Sequence, residues 1–314
     1  MRLVTYVSPV GPQAGFLVGD RICPLAAAAS AAGVPLKVTS VRELLWTVDA
    51  SQRQMMAAAA SALVKHFADT FPGIARVALL PPVPDPLKII CLALNSRSHC
   101  AEAGVPEPPV PWFFPKWQTS LAGHGATVRP PRVTGKLDWE GEVALVIGRP
   151  ARNVPEEQAL SYVAGVMPFN DLSARDLLYG IETLALTKSG DGQAPCGPAL
   201  VSLDEIDDLN DLHYRTRVNG VIKQDGSTSD QIFTAAQTIA SLTRTTTLLP
   251  GDIVAMGTLV GVGLFRSPPE FLHEGDVVEV EVDGVGLLRN TIGAPADAAV
   301  YGPATGIPAP ACRT

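Results

Sequence analysis

The sequence predicts an α+β protein that is predominantly β, with a small α/β unit at its amino terminus. Three observations carry that expectation. Alanine-rich stretches of helical character fall within residues 1–80. The proline-dense segment Leu80-Pro-Pro-Val-Pro-Asp-Pro-Leu87 follows them. Beyond it, short apolar or alternating runs bounded by turn residues continue to about Ile292.

In chain order, strands at about 2–7 and 14–23 and helices at about 24–33 and 52–68 make up the unit at 1–80. The prolines of 81–87 withhold backbone donors, so this segment reads as a linker. Residues 88–292 form the main body. Ile89–Leu94, Val143–Ile147 and Val163–Phe169 are strand-like, and Val277–Val282 begins an alternating run. Asn219-Gly220 joins Tyr214–Val218 to Val221–Gln224 as a tight hairpin, and Asp283-Gly284 makes a similar turn. Helices are expected at about 156–161, 173–179 and 230–243. The proline-rich stretch Val105 to Pro115 reads as a surface loop, and the Ala/Pro/Gly-rich tail at 293–314 as poorly ordered.

Composition narrows the function classes. Of 314 residues, 46% are hydrophobic and 18% charged, enough for a sizeable core and against general disorder. A net charge of -7 with no basic cluster disfavours nucleic acid as a partner. The alanine-rich stretches are too short and broken to span a bilayer, so no membrane role is expected. The opening Met-Arg-Leu-Val-Thr-Tyr-Val lacks a secretory pattern. Five scattered cysteines without a Cys-x-x-Cys pair point away from disulfides and zinc and towards a reducing cytoplasm.

Three constellations could carry chemistry. In Asp138-Trp139-Glu140-Gly141-Glu142, the two glutamates lie two apart and would share one face of a strand. They are either a solvated strand end or a pair neutralised by a hard divalent cation. In Asn170-Asp171-Leu172-Ser173-Ala174-Arg175-Asp176, Asp171 is either a helix cap or a further acidic ligand. After the strand Ile89–Leu94, His99 and Glu102 at i and i+3 are either a surface contact or an oriented general base. Leu249-Pro-Gly-Asp to Gly263 is glycine-rich, a phosphate cradle or structural turns, with no Walker or Rossmann spacing. Cys100 and Cys196 have no sequence-local activating partner beyond His99, so a cysteine hydrolase is disfavoured.

Taken in order, the motifs resemble the fumarylacetoacetate hydrolase family. They are Asn95…His99-x-x-Glu102, Phe114-x-Lys116, Trp139-Glu-x-Glu142, Val146-Ile-Gly148, Tyr162-Val-Ala-Gly165 and Asn170-Asp-x-Ser-Ala-Arg-Asp176. Lys188-Ser, Gly197-Pro, Val218-Asn-Gly220, Leu249-Pro-Gly-Asp252, Gly257-Thr258, Gly261-Val-Gly263 and Gly275-Asp276 complete the series. The resemblance covers about 88–292. It implies a mixed β-sheet roll, a homodimer, and Mg²⁺ or Mn²⁺ (Ca²⁺ also fitting) held by Glu140, Glu142 and Asp171. Leu92 stands where the animal branch has a fourth acidic ligand, which implies the three-carboxylate, acylpyruvate-hydrolase-like branch.

That branch implies a small oxo-acid substrate and hydrolytic C–C cleavage of a β-diketo acid. His99, oriented by Glu102 on a closing lid, would activate water. Lys188 would face the developing charge, and Arg175, Thr258, Lys116 and Asn95 would contact substrate. Ser96, Leu178 and Leu259 depart from the usual Tyr, Gln and Pro, which bears on the substrate rather than on the metal ligands. The rival readings are an isomerase, tautomerase or decarboxylase of an oxo-enol acid, and a non-catalytic binding protein on the same fold.

Overall fold

The computed structural model describes residues 1–178 and 184–295. Most of the tail expected at 293–314 lies outside the described residues. At the amino end, β1 (Arg2–Ser8), β2 (Gly11–Val18) and β3 (Arg21–Pro24) form an antiparallel meander. The run expected as one strand at 14–23 is therefore two, because Gly19 takes a positive φ of 59° and turns the chain. α1 (Leu25–Ala32), α2 (Val41–Thr47) and α3 (Ala50–Phe67) follow, and β4 (Leu79–Leu80) pairs with β1. Asp49 caps α3 in a reciprocal box with Gln52. α2, which the sequence pattern did not reveal, is capped by the Ser40 side chain accepting from the Glu43 N–H.

The main body begins with β5 (Ile89–Ala93), α4 (Arg97–Ala103) and β6 (Trp112–Lys116). Short pairing segments β7 (Leu121–Ala122), β8 (Thr127–Val128) and β9 (Leu137–Asp138) lead to β10 (Gly141–Ile147) and β11 (Val163–Asn170). Next come β12 (Ser173–Ala174), α5 (Leu184–Lys188), β13 (Ala194–Pro195) and β14 (Leu200–Val201). The hairpin β15 (His213–Val218) to β16 (Val221–Ser227) turns at Asn219 and Gly220, both at positive φ as its dipeptide predicts. α6 (Ala235–Thr243), β17 (Ile253–Ala255) and the hairpin β18 (Val277–Val282) to β19 (Gly286–Ile292) finish the described chain.

Two of the expected helices are not α-helical. Residues 156–162 form a 3₁₀ helix. At 173–178, the described part of the helix expected at 173–179, Ser173 instead pairs with Asp138 and the Arg175 N–H donates to the Lys136 carbonyl, and Arg175–Leu177 make a 3₁₀ turn. The third starts at Ala235 rather than 230, because Gln231 bridges Ser96 and the Ile232 N–H donates to the Asn95 carbonyl.

The large sheet runs β3-β2-β1-β14-β11-β10-β17-β5-β6, with β4 also on β1, and a second sheet runs β16-β15-β18-β19-β8. β1 pairs with β14 (Leu3 opposite Leu200), so the strands of residues 1–80 extend the sheet of the main body. All of β10 is buried, which explains its lack of polar alternation. Val143, Leu145 and Ile147 pack with Tyr214, Val280 and Leu288 of the second sheet. Ala144 and Val146 belong to a cluster with Leu3, Phe16, Leu44 and Met56 from the amino-terminal elements. Among the described residues no helix is long and apolar enough to cross a membrane.

This shared core yields a first expected result. Phe16→Ala should lower stability by about 3–5 kcal/mol. In urea, β1–β4 and the main body should unfold in one transition, followed by far-ultraviolet dichroism and tryptophan fluorescence. Two separated transitions would contradict the shared core.

Candidate active site and metal centre

The site grows from two adjacent strand ends. Gly141 at the start of β10 pairs in register with Asn170 at the end of β11. Glu140 and Glu142 flank that start, and Asp171 directly follows Asn170. The Asp171 N–H donates to the Glu140 carbonyl at 2.8 Å, and Asn170 Oδ1 accepts from the Glu140 N–H at 3.1 Å. These bonds clasp the two chain ends together. One carboxylate oxygen from each of Glu140, Glu142 and Asp171 lies within 4.8 Å of the others, and all three residues are buried. Among the described residues directly after Asp171, Ser173–Ala174 are strand and Arg175–Leu177 a 3₁₀ turn, so Asp171 caps no α-helix there and its carboxylate faces this cluster.

Three cations surround the acids. Lys188, at the end of α5, places Nζ 2.5 Å from Glu140 Oε2 and 2.9 Å from Asp171 Oδ2. Lys116, at the end of β6, donates to Asp171 Oδ1 at 2.6 Å and to the Lys188 carbonyl. Arg175 bridges Glu140 Oε1 at 2.6 Å and Asp138 Oδ2 at 2.9 Å. Burial alone would raise the Glu140 carboxyl, but Lys188 and Arg175 outweigh it and hold it far below the usual carboxylate range. Glu142 goes the other way: burial pushes it up, and the neighbouring Asp171 and Glu140 charges push it further. Burial works against the charge of Lys188, yet Asp171 and Glu140 raise it on balance.

The donor set fits a hard divalent cation. All three candidate ligands are oxygen donors, and four buried acids (Asp138, Glu140, Glu142, Asp171) face three cations. With every acid ionised the cluster carries one net negative charge, and the excess falls at Glu142. A divalent cation would turn it into one net positive charge, suited to the carboxylate of a substrate.

The cluster meets, through Glu140, a cavity of ≈ 470 Å³. Glu140, Arg175, Lys188 and Thr258 contribute its polar lining, and Leu92, Phe114, Leu178 and Leu264 are among its apolar walls. His99, on α4, is part of the wall, with its ring 6.0 Å from that of Phe265. Its Nδ1 is 3.1 Å from Glu102 Oε2, and Glu102 Oε1 accepts from the Gly261 N–H at 2.8 Å. With His99 buried and Glu102 half-buried, the His–Glu pair is an anchored unit rather than a surface contact. Asp230 anchors the start of α4, accepting from the Ser96 hydroxyl at 2.5 Å and the Ser98 hydroxyl at 2.6 Å.

The glycine-rich segment supplies turns, not a phosphate cradle. The Gly257 N–H, at φ 90°, donates to Glu142 Oε2 at 2.8 Å. A side chain on Gly261 would meet the Lys223 carbonyl at 2.1 Å. Thr258 lines the cavity, but its hydroxyl donates to the Gly141 carbonyl at 2.9 Å and accepts from Gln224 at 2.8 Å.

Two expected substrate contacts belong behind the site instead. The Lys116 side chain is fully buried and spent on Asp171 and on main-chain carbonyls. Asn95 donates to the Met256 carbonyl at 2.8 Å and the Phe233 carbonyl at 3.1 Å, and it accepts from the Phe233 N–H. Both position the machinery. Asp138, Gln224 and Asp230 were not assigned from sequence. Asp138 had a signal, since it opens the Trp139-Glu motif; it accepts from the Gly263 and Leu264 N–H groups as well as Arg175. Gln224, on β16, carried none. Burial pushes the Cys100 thiol up and the Cys196 thiol strongly up, so neither is an activated nucleophile.

Comparison with known proteins agrees with this geometry. Residues 88–293 match the family model described as fumarylacetoacetate (FAA) hydrolase C-terminal. The chain is 40% identical over 227 residues to the oxaloacetate tautomerase YisK of Bacillus subtilis (strain 168), covering 70% of this chain and 75% of that one. It is 34% identical over 297 residues to the human mitochondrial oxaloacetate tautomerase FAHD2A, covering 93% and 91%. A maleylpyruvate hydrolase from Sphingobium sp. SYK-6, solved with manganese(II) and pyruvate, superposes with a TM-score of 0.74 at 26% identity, covering 94% and 100%. With the ordered motifs, the α+β sheet architecture and the buried Glu-Glu-Asp cluster all in place, the chain belongs to the fumarylacetoacetate hydrolase family and is an enzyme of it.

Proposed function

We propose that the protein interconverts the enol and keto forms of a small 2-oxo acid of the oxaloacetate type, with Mg²⁺ or Mn²⁺ on Glu140, Glu142 and Asp171. The observation that carries this is a single imidazole lining the same cavity as a charge-locked group of polar side chains. Among the described lining residues, Glu140, Arg175 and Lys188 are tied into ion pairs, and His99 is the group left to move a proton. The tautomerase names of relatives that match most of the chain support the same choice.

The bound cation would supply Lewis acidity and positive charge at the 2-oxo acid end. The protein does the rest. Glu102 holds His99 Nδ1, which fixes the ring and leaves Nε2 to exchange a proton with the substrate. In the enol-to-keto direction the hydroxyl proton leaves, the C=O bond forms, and the π pair of the C=C bond takes a proton at C3. No water is consumed and no carbon–carbon bond breaks. Lys188, facing the cavity beside Glu140, stabilises negative charge on the substrate oxygen as the proton moves. The apolar walls keep water from competing for that proton.

Hydrolytic cleavage of an acylpyruvate is the second reading, favoured by the likeness to a maleylpyruvate hydrolase. One assay separates the two. The protein with Mg²⁺ should speed the loss of enol-oxaloacetate ultraviolet absorbance, with proton NMR showing only the keto acid. If enol decay stays at the uncatalysed rate while acylpyruvates split into pyruvate and a second acid, the tautomerase reading fails.

A further inference from the structure

A second recess, ≈ 630 Å³, lies at the opposite ends of β10 and β11 from the carboxylates. It is walled by Leu45 and Val48 at the α2–α3 junction and by Val163 and Ala164 at the start of β11, with Arg53 and Arg149 among its lining groups. Arg53 is only 8% exposed. Its Nη1 donates to the Val48 carbonyl, while its Nε is buried with no hydrogen-bond partner.

That is an unfavourable place for a bare cation. Arg53 lies in the first turn of the 18-residue α3, at the positive end of the helix dipole. Burial also holds its guanidinium below its ordinary range, with Asp49 only partly opposing. The acids on this recess are engaged elsewhere. Asp49 accepts from the Gln52 N–H at 2.8 Å, and Asp204 accepts from the Ser202 hydroxyl and from Gln54 Nε2. Arg149 is pinned in this lining, stacked 3.8 Å over the Tyr162 ring and bonded to the Ser161 carbonyl and hydroxyl.

We propose that this recess binds a small monocarboxylic acid, its carboxylate on Arg53 with Arg149 close by and its carbon body on Leu45, Val48 and Val163. The planar fork of a guanidinium matches a carboxylate, and Arg53 lines the recess while its Nε goes unused by the protein. The aliphatic walls suit an acid with a short apolar tail better than inorganic phosphate. The site is independent of the catalytic reading, since it shares no residue with the active-site cavity.

Isothermal titration of the magnesium-loaded full-length protein tests this, with sodium butyrate and inorganic phosphate as probes. Saturable butyrate binding should persist in Glu142→Ala, which disables the metal centre. It should weaken at least about tenfold in Arg53→Met, the loss of a charge-assisted hydrogen bond. Arg149→Ala, at an exposed position, should weaken it several-fold and keeps the test open if Arg53→Met does not fold. Absence of butyrate binding, binding unchanged in both arginine variants, binding lost in Glu142→Ala, or phosphate bound as tightly as butyrate would each overturn the proposal.

Discussion

Glu142→Ala should abolish divalent-cation binding and lower turnover by about 10³-fold, the equivalent of the several kcal/mol that a cation contributes to such a reaction. Equilibrium dialysis with Mn²⁺ and the enol-decay assay would read the two losses together. The variant should nevertheless fold. In the metal-free protein Glu142 is a buried acid repelled by Asp171 and Glu140, so its removal relieves strain rather than creating it. The pH dependence has a definite sign. Because the folded-state carboxyl is raised, the metal-free wild type binds the extra proton in its folded form, and its stability falls as pH rises above the ordinary value of about 4.3. The cation must displace that proton, so wild-type Mn²⁺ affinity weakens with acid. A variant that still binds Mn²⁺ would remove Glu142 from the metal centre.

His99→Ala should reduce kcat by about 10²–10⁴-fold, the usual worth of a positioned acid–base group. It should leave Mn²⁺ affinity unchanged, because the three carboxylates take their hydrogen bonds from Arg175, Lys188, Lys116 and the Gly257 N–H rather than from the imidazole. That split distinguishes a proton carrier from a residue that merely shapes the centre. Glu102→Gln should fall between the variant and wild type, since the amide can still accept from Gly261 but no longer supports a positive imidazole. Wild-type kcat in His99→Ala would move the proton transfer to another group.

What could be read from the sequence is what lies close along the chain. Glu140 and Glu142 are two apart on one strand, and His99 and Glu102 are one helical turn apart, so local periodicity pairs them. The apolar run of β10 and the Asn219-Gly220 hairpin were likewise plain. Asp171 joins the carboxylate cluster only through the pairing of Gly141 with Asn170, which no local pattern encodes. Lys116 reaches Asp171 across 55 positions and Gln224 reaches Gly141 across 83, so their roles exist only after the sheets form. The helix expected after Asp171 failed for the same reason: Lys136 and Asp138 captured its backbone from a distance.

The pairing of β1 with β14 has a practical consequence for anyone dissecting the molecule. The family match begins at residue 88, which makes the proline-dense segment an inviting place to cut. Such a fragment would keep every candidate catalytic side chain, yet β14 would lose its neighbour on the β1 side and present open backbone donors and acceptors there. Ala144, Val146, Met167 and Leu200 would lose the cover that Leu3, Phe16, Leu44 and Met56 give them. The truncated protein would be sticky before it was inactive, and poor recovery would speak of an exposed seam rather than a failed active site.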